Sequence, residues 1–201
     1  MTVRLEVLPP AQQQQVLADL ARLRITVFRE FPYLYDGDLA YEQRYLHTYL
    51  EAPDFFLAVV RDGERVVGAT TALPLEAETA ELQAPFRAAG IDPAAVFYFG
   101  ESVLLPEYRG MGFGRQFLEL REARARELGR QWAAFCAVDR PADHPRRPQG
   151  YRPLDALWDR QGFVRRPDLT TTMTWQDLDE PAESPKRMVF WTKFLTAGGS
   201  A

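Results

Sequence analysis

A sharp, glycine-rich turn separates a predicted strand from a predicted helix near the middle of the chain. The turn reads PEYRGMGFG at residues 106–114, between an apolar strand pattern at 96–105 and a helical pattern at 113–128. Glycines let the backbone approach a ligand closely and take positive φ angles. Amides at the start of a helix carry a partial positive charge that suits a pyrophosphate. The turn therefore favours a fold in which a strand leads directly into an anion-binding helix, and a tight helix entry that binds nothing is the alternative.

Two common nucleotide-binding motifs do not fit this turn. A P-loop needs Gly-Lys followed by Ser or Thr, and the turn has no lysine. The dinucleotide fingerprint needs a third glycine three positions after its second, where this chain has Arg115. The turn is thus predicted to bind an anion in some other fold.

The rest of the chain alternates between strand and helix patterns in a mixed α/β order. Apolar residues repeat every two positions in the strands and every three to four positions in the helices. Pro32 ends the first long helix, and Asp62-Gly63 predicts a hairpin turn. The strands are predicted near 3–8, 55–61, 65–75, 96–105, 131–138, 170–175 and 188–195, and the helices near 11–31, 41–50, within 76–95, 113–128 and 154–160.

The composition of the chain argues against several classes of function. The chain has 201 residues and is 46% hydrophobic, which suits one domain at 1–197, followed by a tail at 198–201 predicted to be mobile. The net charge of −4 disfavours nucleic-acid binding. Cys136 is the only cysteine and the two histidines are far apart, so we expect no metal site. No apolar run approaches the roughly 20 residues of a membrane span, and we expect a cytoplasmic protein without a membrane partner.

The turn matches the pattern Arg/Gln-x-x-Gly-x-Gly/Ala through Arg109, Gly112 and Gly114. This is the acetyl-CoA signature of the GNAT superfamily of N-acetyltransferases. Further on, LWDRQGF at 157–163 resembles the second block of that superfamily, and the order of elements is similar over essentially the whole chain. The resemblance implies an α/β (α+β) fold with a mixed, mostly antiparallel sheet of about seven strands and about four to five helices.

The resemblance also implies where acetyl-CoA binds as a co-substrate. Backbone amides of Gly110, Met111, Gly112, Phe113, Gly114 and Arg115, with the Arg109 side chain, would hold the pyrophosphate. The backbone of Val103, Leu104 and Leu105 would pair with the pantetheine arm like an added strand. That arm would enter a V-shaped gap between the fourth and fifth strands.

The catalytic residues are predicted around the fourth strand. Glu101 is a candidate general base, because N-acylation needs a neutral amine. In a regular strand Tyr98 and Ser102 would share the acceptor face and Glu101 would point away, whereas a β-bulge at Gly100 would re-aim Glu101. A structural ion pair between Glu101 and Arg121 is the alternative.

The leaving thiolate would need an acid. The resemblance places a tyrosine at the position of Trp158, and an indole N–H is not a useful acid. Tyr151 is then a candidate, with aromatic packing as the alternative for both side chains.

The acceptor is expected to be a primary amine of a small molecule or peptide. Tyr33, Tyr35 and Asp36 lie in the loop between the first two helices, which would line the acceptor pocket. Covering the sheet is the alternative role for the tyrosines. The loop 140–153 carries four arginines: Arg140, Arg146, Arg147 and Arg152. These side chains would bind the 3′-phosphate of CoA or an acidic acceptor. A solvated, exposed loop is the alternative.

Three alternative functions stay open. The chain would be a catalytically weak acyl-CoA sensor if the absent motif tyrosine is decisive. It would move a larger acyl group, or use a hydroxyl acceptor, if the segment 76–95 reshapes the pocket. A purely structural role leaves the glycines of the turn unexplained. The resemblance also allows a homodimer, for which the apolar last strand is the sole sequence signature.

Overall fold

A computed structural model describes residues 3–195 of the chain. These residues form seven strands in one sheet and six helices, of which α1 is a single turn that leads into α2. The strands are β1 Val3–Val7, β2 Phe56–Asp62, β3 Arg65–Pro74, β4 Val96–Leu104, β5 Trp132–Val138, β6 Val164–Trp175 and β7 Ser184–Phe194. The helices are α1 Pro10–Gln13, α2 Leu17–Phe28, α3 Leu39–Leu50, α4 Ala80–Ala88, α5 Phe113–Glu127 and α6 Asp155–Arg160.

The sheet has the strand order β1-β2-β3-β4-β5-β7-β6. Only β4 and β5 run parallel, and every other neighbouring pair is antiparallel. The fold class expected from the sequence is therefore confirmed. The single domain at 1–197 stays a prediction, and the tail at 198–201 lies outside the described residues.

Helices cover both faces of the sheet. On one face α2, α3 and α4 bury Leu20, Leu46 and Phe86 completely. On the other face Leu118 and Ala125 of α5 pack with side chains that include Phe163. Strand β4 lies in the middle of the sheet and is covered on both faces. Its sequence is therefore a nearly continuous apolar run rather than an alternating one.

The last two strands are longer than the sequence pattern predicts. Strand β6 begins at Val164 rather than near residue 170, and β7 begins at Ser184 inside the segment expected to be a polar loop. Most side chains of β6 are at least partly exposed, because it is the outer strand of the sheet. Its pairing with β7 shifts register between Arg166 and Thr170, which interrupts the alternation of side chains between the two faces of the sheet. Apolar patterning alone therefore misses half of this strand.

Candidate functional site

The glycine-rich turn forms the entry to α5. Gly110 and Gly112 have φ angles of 78° and 88°, a left-handed conformation that L side chains rarely adopt. Helix α5 begins at Phe113, with no side chain capping its amides and no acidic residue in its first turn. The amides of a first helical turn have no partner within the helix. This turn therefore presents uncapped donors to an anion, as its sequence predicts.

Strands β4 and β5 separate beside this turn. They pair from Val96 with Trp132 to Tyr98 with Ala134, and the pairing stops there although both strands continue. The result is a V-shaped gap, which confirms the expectation from the sequence. The backbone edge of β4 beyond Tyr98 faces this gap instead of a neighbouring strand.

A β-bulge interrupts β4 at Gly100 and Glu101. The pairing with β3 moves from Thr70 and Ser102 to Ala72 and Phe99, so that two residues of β4 face the single residue Thr71. A Cβ atom at Gly100 would lie 2.6 Å from the Thr71 hydroxyl oxygen, so only glycine fits. That oxygen accepts a hydrogen bond from the Glu101 amide at 3.1 Å. The bulge predicted at Gly100 is thus built by identifiable side chains.

Beyond the bulge, each side chain of β4 points to the opposite face of the sheet from the one that regular alternation would give it. Tyr98 is buried with the residues under α2 and α3, and its hydroxyl lies 3.2 Å from the Cys136 sulfur. Glu101 reaches Arg24 on α2, on the same face. Ser102 instead meets Arg121 of α5 at 2.9 Å on the other face. Of the two alternatives, the regular strand with Tyr98 and Ser102 on one face does not occur, because the extra residue of the bulge shifts the alternation and re-aims Glu101.

Glu101 belongs to a buried chain of charged groups. Arg24 Nη1 donates to Glu101 Oε2 at 2.6 Å, and Arg24 Nε donates to Glu42 Oε2 at 2.5 Å. Tyr35 in turn donates its hydroxyl to Glu42 Oε1 at 2.8 Å. Burial alone would lower the pKa of Arg24, but the carboxylates of Glu101 and Glu42 outweigh it and hold that pKa above its ordinary value. Arg24 thus stays cationic and fixes one oxygen of Glu101.

The second oxygen of Glu101 has a different environment. Glu101 is 4% exposed, and its Oε1 has no hydrogen-bond partner within residues 3–195. A buried oxygen without a partner is costly and points to a group supplied from outside the protein. The alternative of an ion pair with Arg121 does not hold, since Arg121 bonds to the Glu101 backbone oxygen and to Ser102 rather than to the carboxylate.

A second buried polar group lies on the same face of the sheet. Tyr45 and Tyr49 share a short hydrogen bond between their hydroxyls, and Tyr49 donates to Glu78 Oε1 at 2.9 Å. Burial raises the pKa of Glu78 above its ordinary value, and its bonds to Tyr49 and Thr79 offset this only in part. Glu101 therefore lies in the same region as a second carboxyl, whose pKa is raised by burial.

One large cavity is bordered by both the glycine turn and the bulge of β4. Its volume is about 1320 Å³, and its walls include Glu101, Ser102, the glycine turn, Tyr33 and Tyr151. Small-molecule sites typically span about 300–1000 Å³, so there is room for two substrates. Tyr98, Tyr35 and Asp36 are not on its walls. No group of three histidine, cysteine or carboxylate side chains that could hold a metal occurs within residues 3–195.

Arg109 makes a contact that the sequence motif does not predict. Its guanidinium donates to both carboxylate oxygens of Glu30 at 2.8 and 3.2 Å, and its Nε donates to the Leu104 carbonyl at 3.2 Å. Glu30 follows α2 and lies on the cavity wall with Arg109. A carboxylate thus holds the side chain that the motif assigns to a phosphate.

The candidate acid residues lie on the cavity wall as aromatic packing groups. Tyr151 meets Phe31 edge-on, with ring centroids 4.8 Å apart, and burial raises the pKa of its hydroxyl. Trp158 packs edge-on against Phe135 and Trp191 at 4.9 and 5.0 Å. Trp158 therefore stands in the second block as a packing residue.

The predicted acceptor residues separate into two groups. Tyr33 lines the cavity and packs on Phe28, with ring centroids 4.7 Å apart. Tyr35 turns inward to Glu42, and Asp36 forms an exposed ion pair with Arg29 at 3.1 Å. Separate tertiary contacts thus draw Tyr35 and Asp36 away from the cavity that Tyr33 lines.

Arg140 fixes the acceptor-side loop in place. It donates to the backbone oxygens of Pro32 and Tyr33 at 2.8 and 2.9 Å. It also pairs with Asp177, which itself meets Lys186 at 3.4 Å. Among the arginines of the loop 140–153, Arg140 is thus a largely buried link between three loops rather than a solvated charge.

Several site residues carry only a weak sequence signal. Arg24 and Glu42 are charged residues inside the apolar stripes of α2 and α3, next to Leu20 and Leu46. A charge at such a position faces the core and must find a partner. Thr70 and Thr71 have no comparable signal, since threonine is common in strands.

The chain was compared with known proteins. A model of the acetyltransferase (GNAT) family matches residues 20–148. The chain belongs to this family. It is a GNAT-type acetyltransferase domain, as its two motifs indicate. No curated protein matches it by sequence.

Solved structures of the family share the fold of this chain. A ribosomal-protein-alanine N-acetyltransferase from Brucella melitensis has a TM-score of 0.61 and 17% identity, covering 97% of this chain and 100% of its own. The putative acetyltransferase yncA from Salmonella typhimurium, solved with acetyl-CoA, has a TM-score of 0.60 and 12% identity, covering 100% and 98%. The PaiA N-acetyltransferase from Thermoplasma acidophilum, solved with coenzyme A, has a TM-score of 0.55 and 11% identity, covering 96% and 99%.

The GNAT site of this chain fits acetyl-CoA by its own geometry. The uncapped amides of α5 and the left-handed glycines suit a pyrophosphate. The unpaired edge of β4 beyond Tyr98 suits an extended amide-containing arm. Among residues 3–195, no helix has the length and apolar character needed to cross a bilayer.

Proposed function

We propose that this GNAT protein transfers an acetyl group from acetyl-CoA directly to the primary amine of a small molecule or peptide. The observation that carries the proposal is that Glu101, whose Oε1 is buried without a hydrogen-bond partner among residues 3–195, lines the cavity that also contains the glycine turn. A base and an anion-binding turn on one cavity are the two parts that direct acyl transfer requires.

The donor would be held mainly by backbone groups. Amides of residues 110–115 would bind the pyrophosphate, and the edge of β4 at Val103, Leu104 and Leu105 would pair with the pantetheine arm. Acetyl-CoA supplies an activated thioester carbonyl and a thiolate leaving group. The side chain of Arg109 would exchange Glu30 for a phosphate oxygen.

Glu101 would take the amine proton. Its Oε2 is fixed by Arg24, so that Oε1 is left to face the incoming nitrogen. In the overall reaction the nitrogen–carbon bond forms, the carbon–sulfur bond breaks, and the proton released by the amine balances the one that the thiolate takes up. Tyr98 and Ser102 would act by holding the bulge and its surroundings, since neither lies beside the Glu101 carboxylate.

Tyr151 is the proposed donor of a proton to the leaving thiolate. It lies on the cavity wall, and burial raises its pKa, which keeps the hydroxyl protonated at neutral pH. Tyr33 would contact the acceptor from the opposite loop, whereas Tyr35 would act only through Glu42. The cytoplasmic location and the homodimer expected from the sequence stay predictions.

A second candidate is a catalytically weak sensor of acyl-CoA. The packing of Trp158 between Phe135 and Trp191 favours it, because the second block then provides no acid. A sensor would bind acetyl-CoA but release no CoA when amines are added.

A thiol-release assay tests the proposal. Purified protein is incubated with acetyl-CoA and a panel of amines that includes amino acids, polyamines and short peptides, and free CoA is measured. The expected result is amine-dependent release of CoA with a matching acetylated product. Binding of acetyl-CoA without release for any amine would contradict direct transfer and support the sensor.

A further inference from the structure

Arginines dominate the walls of the cavity. Ten arginines and four carboxylates line it, although the whole chain has a net charge of −4. Most of these arginines already pair with a carboxylate, as Arg109 does with Glu30 and Arg165 with Asp139. In the described part of the chain, the exceptions on the cavity wall are Arg121, Arg147, Arg152 and Arg160, which have no carboxylate within 4.0 Å.

Among these four arginines, Arg121 has a structural role, and Arg152 and Arg160 are distinguished by their position beside the glycine turn. Arg121 is 3% exposed and ties the bulge to α5 through Ser102 and two backbone oxygens. Arg152 precedes α6 and Arg160 is its last residue, and the Leu157 side chain of this helix packs 3.6 Å from the Cβ position of Gly114 in the glycine turn. These two thus lie before and on the element that packs on the phosphate-binding turn.

Arg147 is held in a different manner. Its guanidinium lies over the rings of Tyr151 and Phe31, 5.1 and 5.9 Å from their centroids. The two rings meet edge-on at 4.8 Å and come from two different loops that both line the cavity. An arginine held on aromatic rings keeps its N–H groups free for a planar, bidentate partner. Its charge is also not cancelled by a neighbouring acid, so it is preorganised for an oxyanion.

Resting on the proposed function, we propose that the acceptor carries a carboxylate or phosphate in addition to its amine, and that Arg147 binds this anionic group. The acceptor would then be anchored at one end by Arg147 and presented at the other end to Glu101. Tyr33, on the same loop as Phe31, would fill the space between them. Amines that carry no anionic group would be poorer substrates because they leave Arg147 without a partner.

Matched amines test this inference. Each pair has the same amine and differs only in the anion: phenylalanine and phenethylamine, or O-phosphoethanolamine and ethanolamine. For the wild type we expect kcat/KM to favour the anionic member by about 10- to 100-fold, the effect of one charge-assisted hydrogen bond. The two pairs distinguish a carboxylate from a phosphate. Arg147→Gln is expected to abolish the preference, and Arg147→Lys to restore part of it.

Controls separate this inference from the proposed function. Arg44→Gln removes an exposed arginine of α3 that is not on the cavity wall, and it should keep the preference. Calorimetric titration of phenylalanine into protein saturated with CoA provides a readout besides activity, and the Arg147→Gln variant should bind it about tenfold more weakly. CoA and 3′-dephospho-CoA are titrated as well.

Three results would count against the inference. Equal turnover of both members of each pair, in the wild type and in Arg147→Gln, overturns it while the acetyltransferase function stands. Arg147 is assigned to the 3′-phosphate instead if Arg147→Gln binds CoA more weakly than the wild type does, while both proteins bind 3′-dephospho-CoA equally well. No turnover of any of these four amines, with normal CoA binding, overturns the inference, and the proposed function is contradicted as well only when the full amine panel also releases no CoA.

Discussion

The glycine turn and the Glu101 cluster serve one cavity but are built in opposite ways. The turn is one short segment whose backbone amides do the binding. The cluster assembles side chains from α2, α3 and β4, including Arg24, Glu42 and Glu101, which lie far apart in the sequence. A site of contiguous backbone tolerates changes in its side chains except at glycine. A site of dispersed side chains depends on the whole fold to bring each group into place.

The largest expected effect is a change at Gly112. Gly112→Val places a β-branched side chain at a φ of 88°, and the strained turn can no longer direct its amides at a phosphate. We expect acetyl-CoA binding to weaken by more than about 100-fold, as for the loss of roughly 3 kcal/mol of hydrogen bonds, in a calorimetric titration. The matched control is Gly63→Val in the β2–β3 turn, where φ is 59°. Equal losses of CoA affinity in both variants would contradict the role of the turn.

A change in the Glu101 cluster is expected to lower kcat rather than the affinity for acetyl-CoA. Glu101→Gln removes the proposed base, so kcat should fall by about 100-fold while acetyl-CoA binding is retained. Glu42→Gln is the control, because it also alters the pairing of Arg24 but does not line the cavity. Steady-state kinetics and thermal melts of both variants are compared. If both lose kcat to the same extent, the role of Glu101 is structural.

The pair between Arg109 and Glu30 joins the two regions. Arg109→Gln should weaken acetyl-CoA binding by about tenfold, because it removes a charged donor to the pyrophosphate. Glu30→Gln should strengthen binding by about two- to fivefold, since it frees Arg109 from an exposed ion pair. Calorimetry of both variants at one salt concentration measures the difference. Weaker binding in Glu30→Gln would show that the pair shapes the site rather than competes with the ligand.

The smallest expected effect is a change in the pH dependence of stability. Burial raises the pKa of Glu78 above its ordinary value of 4.5, so the unfolded chain releases this proton first as the pH rises. The free energy of unfolding should therefore fall between pH 4.5 and the raised pKa of the folded state. Glu78→Gln should remove this fall, and urea unfolding across that range measures it. Parallel curves for the two proteins would mean that Glu78 ionises normally in the fold.

Local patterns in the sequence predict the fold and the donor side of the site. The glycine turn is evident from a few adjacent residues, Gly100 is compatible with the bulge, and the gap beside β4 is expected from the resemblance to the GNAT superfamily. The sequence does not reveal that Glu101 meets Arg24 rather than Arg121, because that choice depends on which helix packs over the bulge. The directions of Tyr35 and Asp36 were likewise set by tertiary contacts, with Glu42 and Arg29. Strand β6 was underestimated because an exposed outer strand needs little apolar patterning.

Calorimetric titration of the wild-type protein with acetyl-CoA and with CoA tests the central claim most directly. The account predicts one site per chain with micromolar affinity for both ligands, and a rise in the melting temperature on binding. An absence of binding at millimolar ligand would mean that the turn at 106–114 only shapes the entry to α5, and the acetyltransferase function would be contradicted with it.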